Sequence, residues 1–443
     1  MNSKKTAILF VLAVVLSLST GSLCPARPEA TTEQLPNRLK LLVFEDHSVP
    51  AVTMQLLVAA GSSMDPSGMG GLANLTARSL FLGTSDYSFD RLNDKLDYLG
   101  ATYGAECTRD FVLIGMQVLK KDLDVGAGLF ARIVEHPSFP AADVGLEKAE
   151  ILGRLREEED DPLKTANRAF DKELFRQGPY AGSVLGGKKS LETISSGAVS
   201  IFYSSYYRPN NAILVIGGDI TPAEVNAKIV PMLLGWKAEP VQGPIFPTSL
   251  PKGAPVEVAI DKPVSQAVVL VGCAAMARTS ADYYPFLVLT QILDSGDLSS
   301  RLMSDIGAKR GLVYSVKSRL AAYKNGGAFR VFLRTDNSSA KEAAALLREE
   351  LQTLRRKPVS DAELNAAKAF LVGNFPLRYS LPINFARFLA GSDFYGLGPD
   401  YVEKYPASIE AVTPSDIQRV AAKYLALPNV VVIVGDLKKM PSR

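Results

Sequence analysis

The stretch Gly71–Thr84, GLANLTARSLFLGT, predicts a helix that carries three positions with the spacing of a metal-binding motif. Apolar residues recur in it with helical periodicity, a pair of glycines precedes it and another glycine ends it. His, Glu and His at positions 74, 77 and 78 would bind zinc and activate a water molecule. The chain has Asn74, Ala77 and Arg78 there instead. The pattern therefore predicts the helix without its chemistry.

Other residues with catalytic potential are few. The 443-residue chain has only two histidines, His47 and His136, and their separation is no ligand spacing. It has no Gly-x-Ser-x-Gly motif, and no histidine neighbours a cysteine, which argues against nucleophilic catalysis. The net charge is +3, from 49 basic and 46 acidic residues, and no dense basic stripe occurs. We therefore expect no metal in this chain and no nucleic-acid partner.

The N-terminus predicts an export signal. Two lysines precede an apolar run from Thr6 to Leu18, which is too short for a membrane span of about 20 residues. Cleavage after Ala26 or Ala30 fits the small residues that follow, so residues 1–26 are assigned as a signal peptide and the periplasm as the location. A lipid anchor on Cys24 is the alternative, although Leu23 stands where a lipoprotein signal has a small residue.

An internal repeat indicates two similar halves. The motif SLETIS at 190–195 is followed by an amphipathic stretch, Pro-Asn and the apolar strand Ala212–Ile216. The motif SIEAVT at 408–413 is followed by the same order of features, ending in the strand Val430–Val434. The offset stays near 218 residues throughout. Chance rarely preserves such order and spacing, so a duplicated unit is predicted.

The elements around these motifs predict the fold class. Apolar strands at Val52–Ala60 and Ala267–Ala275 open the halves, and hairpins are predicted at Ala105–Leu119 and Val313–Arg334. Helical runs such as Asp143–Glu159 lie between them. We therefore predict an α+β protein of two repeated domains, with helices packed on largely antiparallel sheets. The two lobes are expected to form a clamshell-like chamber wall.

The predicted boundaries follow the repeat and the proline content. Residues 35–237 form the N-terminal domain and residues 257–443 the C-terminal domain. Residues 238–256 form a proline-rich linker with little regular structure.

Motifs along the chain resemble one family of peptidases. They are AAGSSMDP, the helix GLANLTARSLFLGT, LDYLGATYGAECTRD, EEEDDP, YYRPNNAILVIGGD and SSRLMSDIGAKRGLVYSV, between about Leu35 and Lys438. Together they resemble the insulinase/pitrilysin-like (inverzincin) metallopeptidase family, in its bacterial branch related to the mitochondrial processing peptidase. The resemblance implies two repeated α+β domains, which agrees with the repeat.

The resemblance also implies where zinc would bind in an active member. Such members carry His-x-x-Glu-His on the helix and a Glu ligand about 80 residues later. The corresponding positions here hold Asn74, Ala77, Arg78 and Arg154, and Glu147 matches a family acidic residue that is not a ligand. Asn is a poor zinc ligand, and two arginines would repel the ion. The resemblance therefore implies a non-catalytic subunit with a degenerate zinc site.

A second constellation is retained. In the family, an Arg and a Tyr at the positions of Arg301 and Tyr314 face the zinc and stabilise the developing oxyanion. In two-subunit bacterial members, the zinc helix and this pair lie on different chains. The resemblance thus implies that Arg301 and Tyr314 act in trans for the partner's site. Alternatively, Arg301 only makes a salt bridge and Tyr314 only packs in a sheet.

These implications give the expected function. The chain would be a non-catalytic subunit of a periplasmic heteromeric zinc metallopeptidase that acts on a peptide or unfolded protein. Zinc would be bound by the partner, an insulinase-like subunit carrying His-x-x-Glu-His. The alternative is a structural or assembly protein of the same fold, and an independent enzyme has little support. Cys107 and Cys273 remain after cleavage and are expected to be separate buried thiols rather than a disulfide.

Overall fold

The computed structural model describes residues 29–176, 178–246, 255–294, 301–303, 306, 311–398, 400–426 and 430–441. The predicted signal peptide and residues 247–254 of the predicted linker lie outside these ranges. In the described parts of the chain, no helix is both long and apolar enough to cross a membrane.

The first half is built on a six-stranded sheet. Its strands are β1 (Ala30–Gln34), β2 (Lys40–Glu45), β3 (Ala51–Val58), β4 (Thr102–Cys107), β5 (Val112–Leu119) and β6 (Ala212–Gly218). Their order across the sheet is β1-β2-β6-β3-β5-β4. Strands β2 and β6 are parallel, and the other neighbours are antiparallel.

Nine helices accompany this sheet in the described part of the first half. They are α1 (Leu72–Ser79), α2 (Phe89–Tyr98), α3 (Leu123–Glu135), α4 (Ala141–Asp160), α5 (Pro162–Phe175), α6 (Lys188–Thr193), α7 (Ser196–Tyr206), α8 (Pro222–Lys228) and α9 (Val230–Leu233). The side chains of Leu72 and Leu75 on α1 are buried in one core with Met54 and Leu56 of β3. Removing these apolar groups from water holds α1 on the inner face of the sheet.

The second half repeats this plan. Its strands are β7 (Val256–Asp261), β8 (Gln266–Ala275), β9 (Val313–Tyr323), β10 (Gly326–Asp336) and β11 (Val430–Gly435), in the order β7-β11-β8-β10-β9. Its helices are α10 (Tyr283–Leu293), α11 (Ala340–Arg356), α12 (Asp361–Asn374), α13 (Pro382–Phe394), α14 (Tyr401–Glu410) and α15 (Pro414–Tyr424). The strand order equals that of the first sheet without β1, and β7 is again parallel to β11. The predicted α+β fold with two repeated halves is confirmed. The domain boundaries themselves stay a prediction.

The two halves exchange one helix each. Helix α13 of the second half packs on the first sheet, where Phe385 and Leu389 are buried with Phe44 of β2. Helix α5 of the first half packs on the second sheet, where Phe170 is buried with Leu270 of β8. Each sheet is therefore covered, on the face opposite the core of its own half, by a helix from the other half.

Charged groups are buried along the seam, the contact surface between the two halves. Asp171 of α5 is 8% exposed and accepts hydrogen bonds from Arg109 and from Arg330 of β10, both at 2.8 Å. Asp110, in the turn between β4 and β5, accepts at 2.9 Å from the backbone N–H of Lys324 in the second half. Both carboxylates have partners from the two halves, which fixes the halves relative to one another.

The structure also bears on two sequence expectations, the end of helix α1 and the state of the two cysteines. Helix α1 ends at Ser79 rather than at Gly83, because Leu80 turns its N–H to the carbonyl of Ala77 in a tighter turn. Cys107 and Cys273 are both free thiols, as the sequence favoured, but only Cys273 is buried, whereas Cys107 is half-buried.

Candidate functional site

The N-terminus of α1 is fixed by a half-buried carboxylate and by a glycine contact. Asp65 accepts hydrogen bonds from the backbone N–H groups of Gly71 and Ala73, both at 2.7 Å. Gly71 has a φ of 95°, and a Cβ there would lie 2.7 Å from the carbonyl oxygen of Leu185. Only glycine fits this position. Burial raises the pKa of Asp65 to about 7, even though both hydrogen bonds lower it.

Two of the four degenerate zinc positions are closed into the core. Asn74 is 6% exposed and Ala77 is fully buried. Within the described structure, the Asn74 side-chain nitrogen has no hydrogen-bond partner. The Ala77 methyl group can neither bind a metal nor accept a proton. Neither position offers the ligand or the base that zinc hydrolysis requires.

The other two positions are occupied by cations that are already paired. Arg78 donates from Nε to Glu147 and from Nη2 to Glu150 at 2.9 Å. Arg154 donates from Nη2 to the same Glu150 oxygen at 2.8 Å. The positive charge of Arg78, followed by the hydrogen bond from Arg154, holds the pKa of Glu150 below its ordinary value. Two arginines and two glutamates thus form a network with no net charge.

This network does not fit a zinc ion. The guanidinium groups of Arg78 and Arg154 carry no lone pair for a metal, and they occupy the two carboxylates that could otherwise attract one. Among the residues in the described ranges, no group of three His, Cys, Asp or Glu side chains could hold a metal ion. The arrangement cannot hydrolyse a peptide by the zinc mechanism at this site.

Arg301 is bound within the chain. Its Nε donates to Glu350 of α11 at 2.8 Å, and its Nη1 lies 3.6 Å from Glu363 at the start of α12. The side chain is 15% exposed. The guanidinium therefore ties its segment to two helices of the second half. Its role toward a partner's site stays a prediction.

Tyr314 lies at an irregular point of the edge strand β9. The register of β9 and β10 shifts so that Val313 faces Thr335 and Ser315 faces Arg334, which leaves Tyr314 as the extra residue of a bulge. Its side chain is 58% exposed, and its hydroxyl donates to Asp336 at 3.0 Å. This hydrogen bond raises the pKa of Tyr314.

Among the described residues, Arg301 and Tyr314 bind different partners. Arg301 binds glutamates of α11 and α12, whereas Tyr314 binds an aspartate at the end of β10. The role that sequence reasoning missed is that of Glu150. Its spacing of four residues from Arg154 on one helix was the available signal, because such a pair shares a helix face.

Two family models match the chain. Residues 40–188 match Insulinase (Peptidase family M16), and residues 193–371 match the Peptidase M16 inactive domain. Together they span both halves. The first match ends at the first residue of α6, and the second begins at its last residue.

Curated relatives are similar over most of their length. An uncharacterized zinc protease of Streptomyces coelicolor is 24% identical over 416 residues, which cover 92% of this chain and 90% of that protein. A non-peptidase homolog, YmxG, of Helicobacter pylori is 26% identical over 385 residues, which cover 85% of each chain.

Solved structures share the fold. The crystal structure of a peptidase M16 inactive domain from Pseudomonas fluorescens has a TM-score of 0.85 at 24% identity, covering 92% of this chain and 98% of that chain. A protease from Helicobacter pylori has a TM-score of 0.84 at 18% identity, covering 92% of this chain and all of that chain (100%). These likenesses show the fold, and the two family models show that the chain belongs to the insulinase family, peptidase family M16, as a member whose zinc-site positions hold other residues.

Proposed function

We propose that this protein is the non-catalytic subunit of a heteromeric zinc metallopeptidase. It would supply a chamber wall and substrate contacts to a partner that carries His-x-x-Glu-His and the zinc. The observation that supports this most is the helix α1, which keeps its place in the fold while its four metal-site positions hold Asn74, Ala77, Arg78 and Arg154.

The paired charges explain how the helix persists without a metal. Arg78 is 21% exposed and Glu147 is 12% exposed, so their ion pair is largely shielded from solvent. It joins α1 to α4, the two helices that a zinc ion would join in an active member. The ion pair thus holds α1 against α4 without a metal ion. A subunit that only forms a wall needs this packing, whereas a catalytic subunit also needs the zinc.

Tyr314 is the residue best placed to contact a partner's substrate. A phenolic hydroxyl on an exposed bulge can donate to an oxygen that gains negative charge. It would first exchange its present acceptor, Asp336, for that oxygen. Arg301 is held by Glu350 and would act in trans only after leaving that carboxylate.

The comparisons support the non-catalytic part of the proposal. A relative of similar length bears the name non-peptidase homolog, and a structural neighbour is described as an inactive domain. The heteromeric part rests on the resemblance to two-subunit bacterial members.

We further propose that the protein is exported to the periplasm. The basic start and short apolar run of residues 1–26 support this. N-terminal sequencing of protein from a native host should find a start just after Ala26 or Ala30. A retained Met1 would contradict the proposal, and acyl chains on Cys24 would identify a lipoprotein instead.

A structural or assembly role is the second candidate. The ion pair of Arg301 with Glu350 and its proximity to Glu363 favour it, because they account for Arg301 without any substrate.

One experiment separates the two functions. The protein would be mixed with an insulinase-like protein of the same organism that carries His-x-x-Glu-His, and complex formation would be followed by size-exclusion chromatography. Turnover of an unfolded peptide would be compared for the partner alone, this chain alone and the mixture. We expect a complex that is active and a chain that is inactive alone. A complex with no more activity than the partner alone would leave the structural role.

A further inference from the structure

A cavity of about 200 Å³ lies between the edge strand β4 and helix α13. Thr102, Gly104 and Glu106 line it, and they alternate along β4 with residues that pack in the core containing α1. The cavity is therefore on the face of the first sheet opposite to the degenerate zinc helix. Ile383 and Arg387 of α13 form its other side, so both halves of the chain contribute.

The floor of the cavity is a buried amide. Gln55 on the central strand β3 is 2% exposed, and its side chain lines the cavity. A Cβ at Gly115 would lie 2.3 Å from the Gln55 Nε2 atom, so the side chain extends over that glycine. Gly104 faces Gly115 on the next strand, and an added Cβ there would meet nothing within 4 Å. Two glycines in register thus open the space above an amide that can both donate and accept hydrogen bonds.

The mouth of the cavity carries one cation and one anion. Arg387 donates to Glu106, and their side chains are 41% and 58% exposed. An exposed ion pair contributes little to stability, so exchanging it for contacts with a ligand costs little. A guanidinium binds a carboxylate through two parallel hydrogen bonds, and a carboxylate accepts from an ammonium group. Adjacent groups of opposite charge therefore match the adjacent carboxylate and ammonium of an α-amino acid.

We propose that this cavity binds a free α-amino acid with a small polar side chain. The Arg387 guanidinium would bind its carboxylate, Glu106 its ammonium group, and Gln55 with Thr102 its side chain. The volume is below the roughly 300–1,000 Å³ of sites for drug-sized ligands, which suits one amino acid. A residue inside a peptide lacks both charges and matches the mouth less well.

The test uses the mature full-length chain alone, with L-glutamine and L-serine as probes in isothermal titration calorimetry and equilibrium dialysis. We expect saturable binding of one molecule per chain. Gly104→Val should fill the cavity without disturbing the strand, and Arg387→Gln should remove the carboxylate contact. Each should weaken binding by about tenfold or more. Arg348→Gln is the matched control, because Arg348 forms a similar exposed ion pair with Glu257 in the second half and should leave binding unchanged.

Three results would overturn the inference. They are no binding of either amino acid up to about 10 mM, unchanged binding in Gly104→Val, and equal binding of the uncharged analogue N-acetylglutamine amide. The last result would identify a peptide-segment site instead. No partner or zinc takes part in these measurements, so their failure leaves the proposed subunit function untouched.

Discussion

Arg78 and Arg154 donate to the same carboxylate oxygen of Glu150, at 2.9 and 2.8 Å. These arginines stand at two positions that hold zinc ligands in active members of the family, and they are joined through a residue between them instead of through a metal. Glu147 and Glu150 are therefore paired with guanidinium groups of the protein itself and not with a metal ion.

The network should contribute measurably to stability. Arg78→Ala leaves Glu147, which is 12% exposed, without its cation. We expect a loss of about 1–3 kcal/mol in the free energy of unfolding, less than for a fully buried pair. Urea denaturation measures it. Arg132→Ala is the control, since Arg132 pairs with Asp86 at an exposed site and should cost about 0–1 kcal/mol. Equal losses in both variants would contradict a special role for Arg78.

The isolated protein should hold no stoichiometric zinc and cleave no peptide. Elemental analysis after dialysis and a peptide-cleavage assay test this. The combined change Asn74→His, Ala77→Glu, Arg78→His and Arg154→Glu should restore metal binding with less than full activity, because the groups that orient the ligands are not rebuilt. The same variant with Ala77 retained should bind zinc without activity. One tightly held zinc in the natural chain, lost in Asn74→Ala, would refute the prediction.

In the proposed complex, Tyr314→Phe should slow turnover. Loss of one oxyanion donor costs about 3–4 kcal/mol, or roughly 100- to 1000-fold in turnover. The effect should fall on turnover because the negative charge develops in the transition state. Tyr98→Phe is the control, since Tyr98 is 92% exposed and should have no effect.

Arg301→Ala should behave differently from Tyr314→Phe. It should also lower the free energy of unfolding, because Glu350, 12% exposed, loses its cation. Size-exclusion chromatography must show an intact complex before turnover is interpreted. An intact complex with unchanged turnover in the double variant would leave only the structural role.

Stability should fall as the pH rises toward neutrality because of Asp65. Burial raises its folded-state pKa from the ordinary 3.8 to about 7, so the folded state binds more protons in this window. The stabilisation is complete below about pH 4 and is lost as the pH rises through about 7, with a slope of at most about 1.4 kcal/mol per pH unit. Urea denaturation from pH 5 to 8 should show this slope reduced in Asp65→Asn. Glu135, whose pKa burial also raises to about 7, contributes to both proteins alike. Identical slopes in the two proteins would disprove the assignment.

The exchanged helices should make unfolding of the two halves one event. Phe385→Ala on α13 and Phe170→Ala on α5 each remove a buried ring from the sheet of the other half, at about 3–5 kcal/mol. Both variants should unfold in a single transition shifted to lower temperature. Phe370→Ala, at a side chain that is 47% exposed, should cost far less. Two separate transitions in either variant would show that the halves are independent.

The sequence predicted the repeat and the strands because their signals are local. The strand predicted at Ala267–Ala275 is observed at Gln266–Ala275, since an uninterrupted apolar run can only be buried. The exchange of α5 and α13 was not predictable in this way. An amphipathic pattern shows that Phe170 and Phe385 bury a face, but not against which sheet.

At the degenerate zinc site, too, the sequence predicted the local features but not the contacts between distant residues. Residue types at four positions showed that zinc chemistry is lost. The pairing of Arg78 with Glu150 needs a contact across 72 residues, and that of Arg301 with Glu350 a contact across 49. Such pairs form only when helices meet, so single-residue reasoning left Arg301 open between a trans role and a salt bridge.

The reciprocal covering of the two sheets has a mechanical consequence. The seam between the halves is filled by α5 and α13 and by the buried carboxylates of Asp110 and Asp171. Separating the halves to admit a polypeptide would remove α13 from the first sheet and α5 from the second. Two apolar sheet faces would then be exposed to water. The two halves are therefore not expected to open apart along the seam to admit a substrate. Room for an unfolded substrate would have to be enclosed outside it, against the surface of a second molecule.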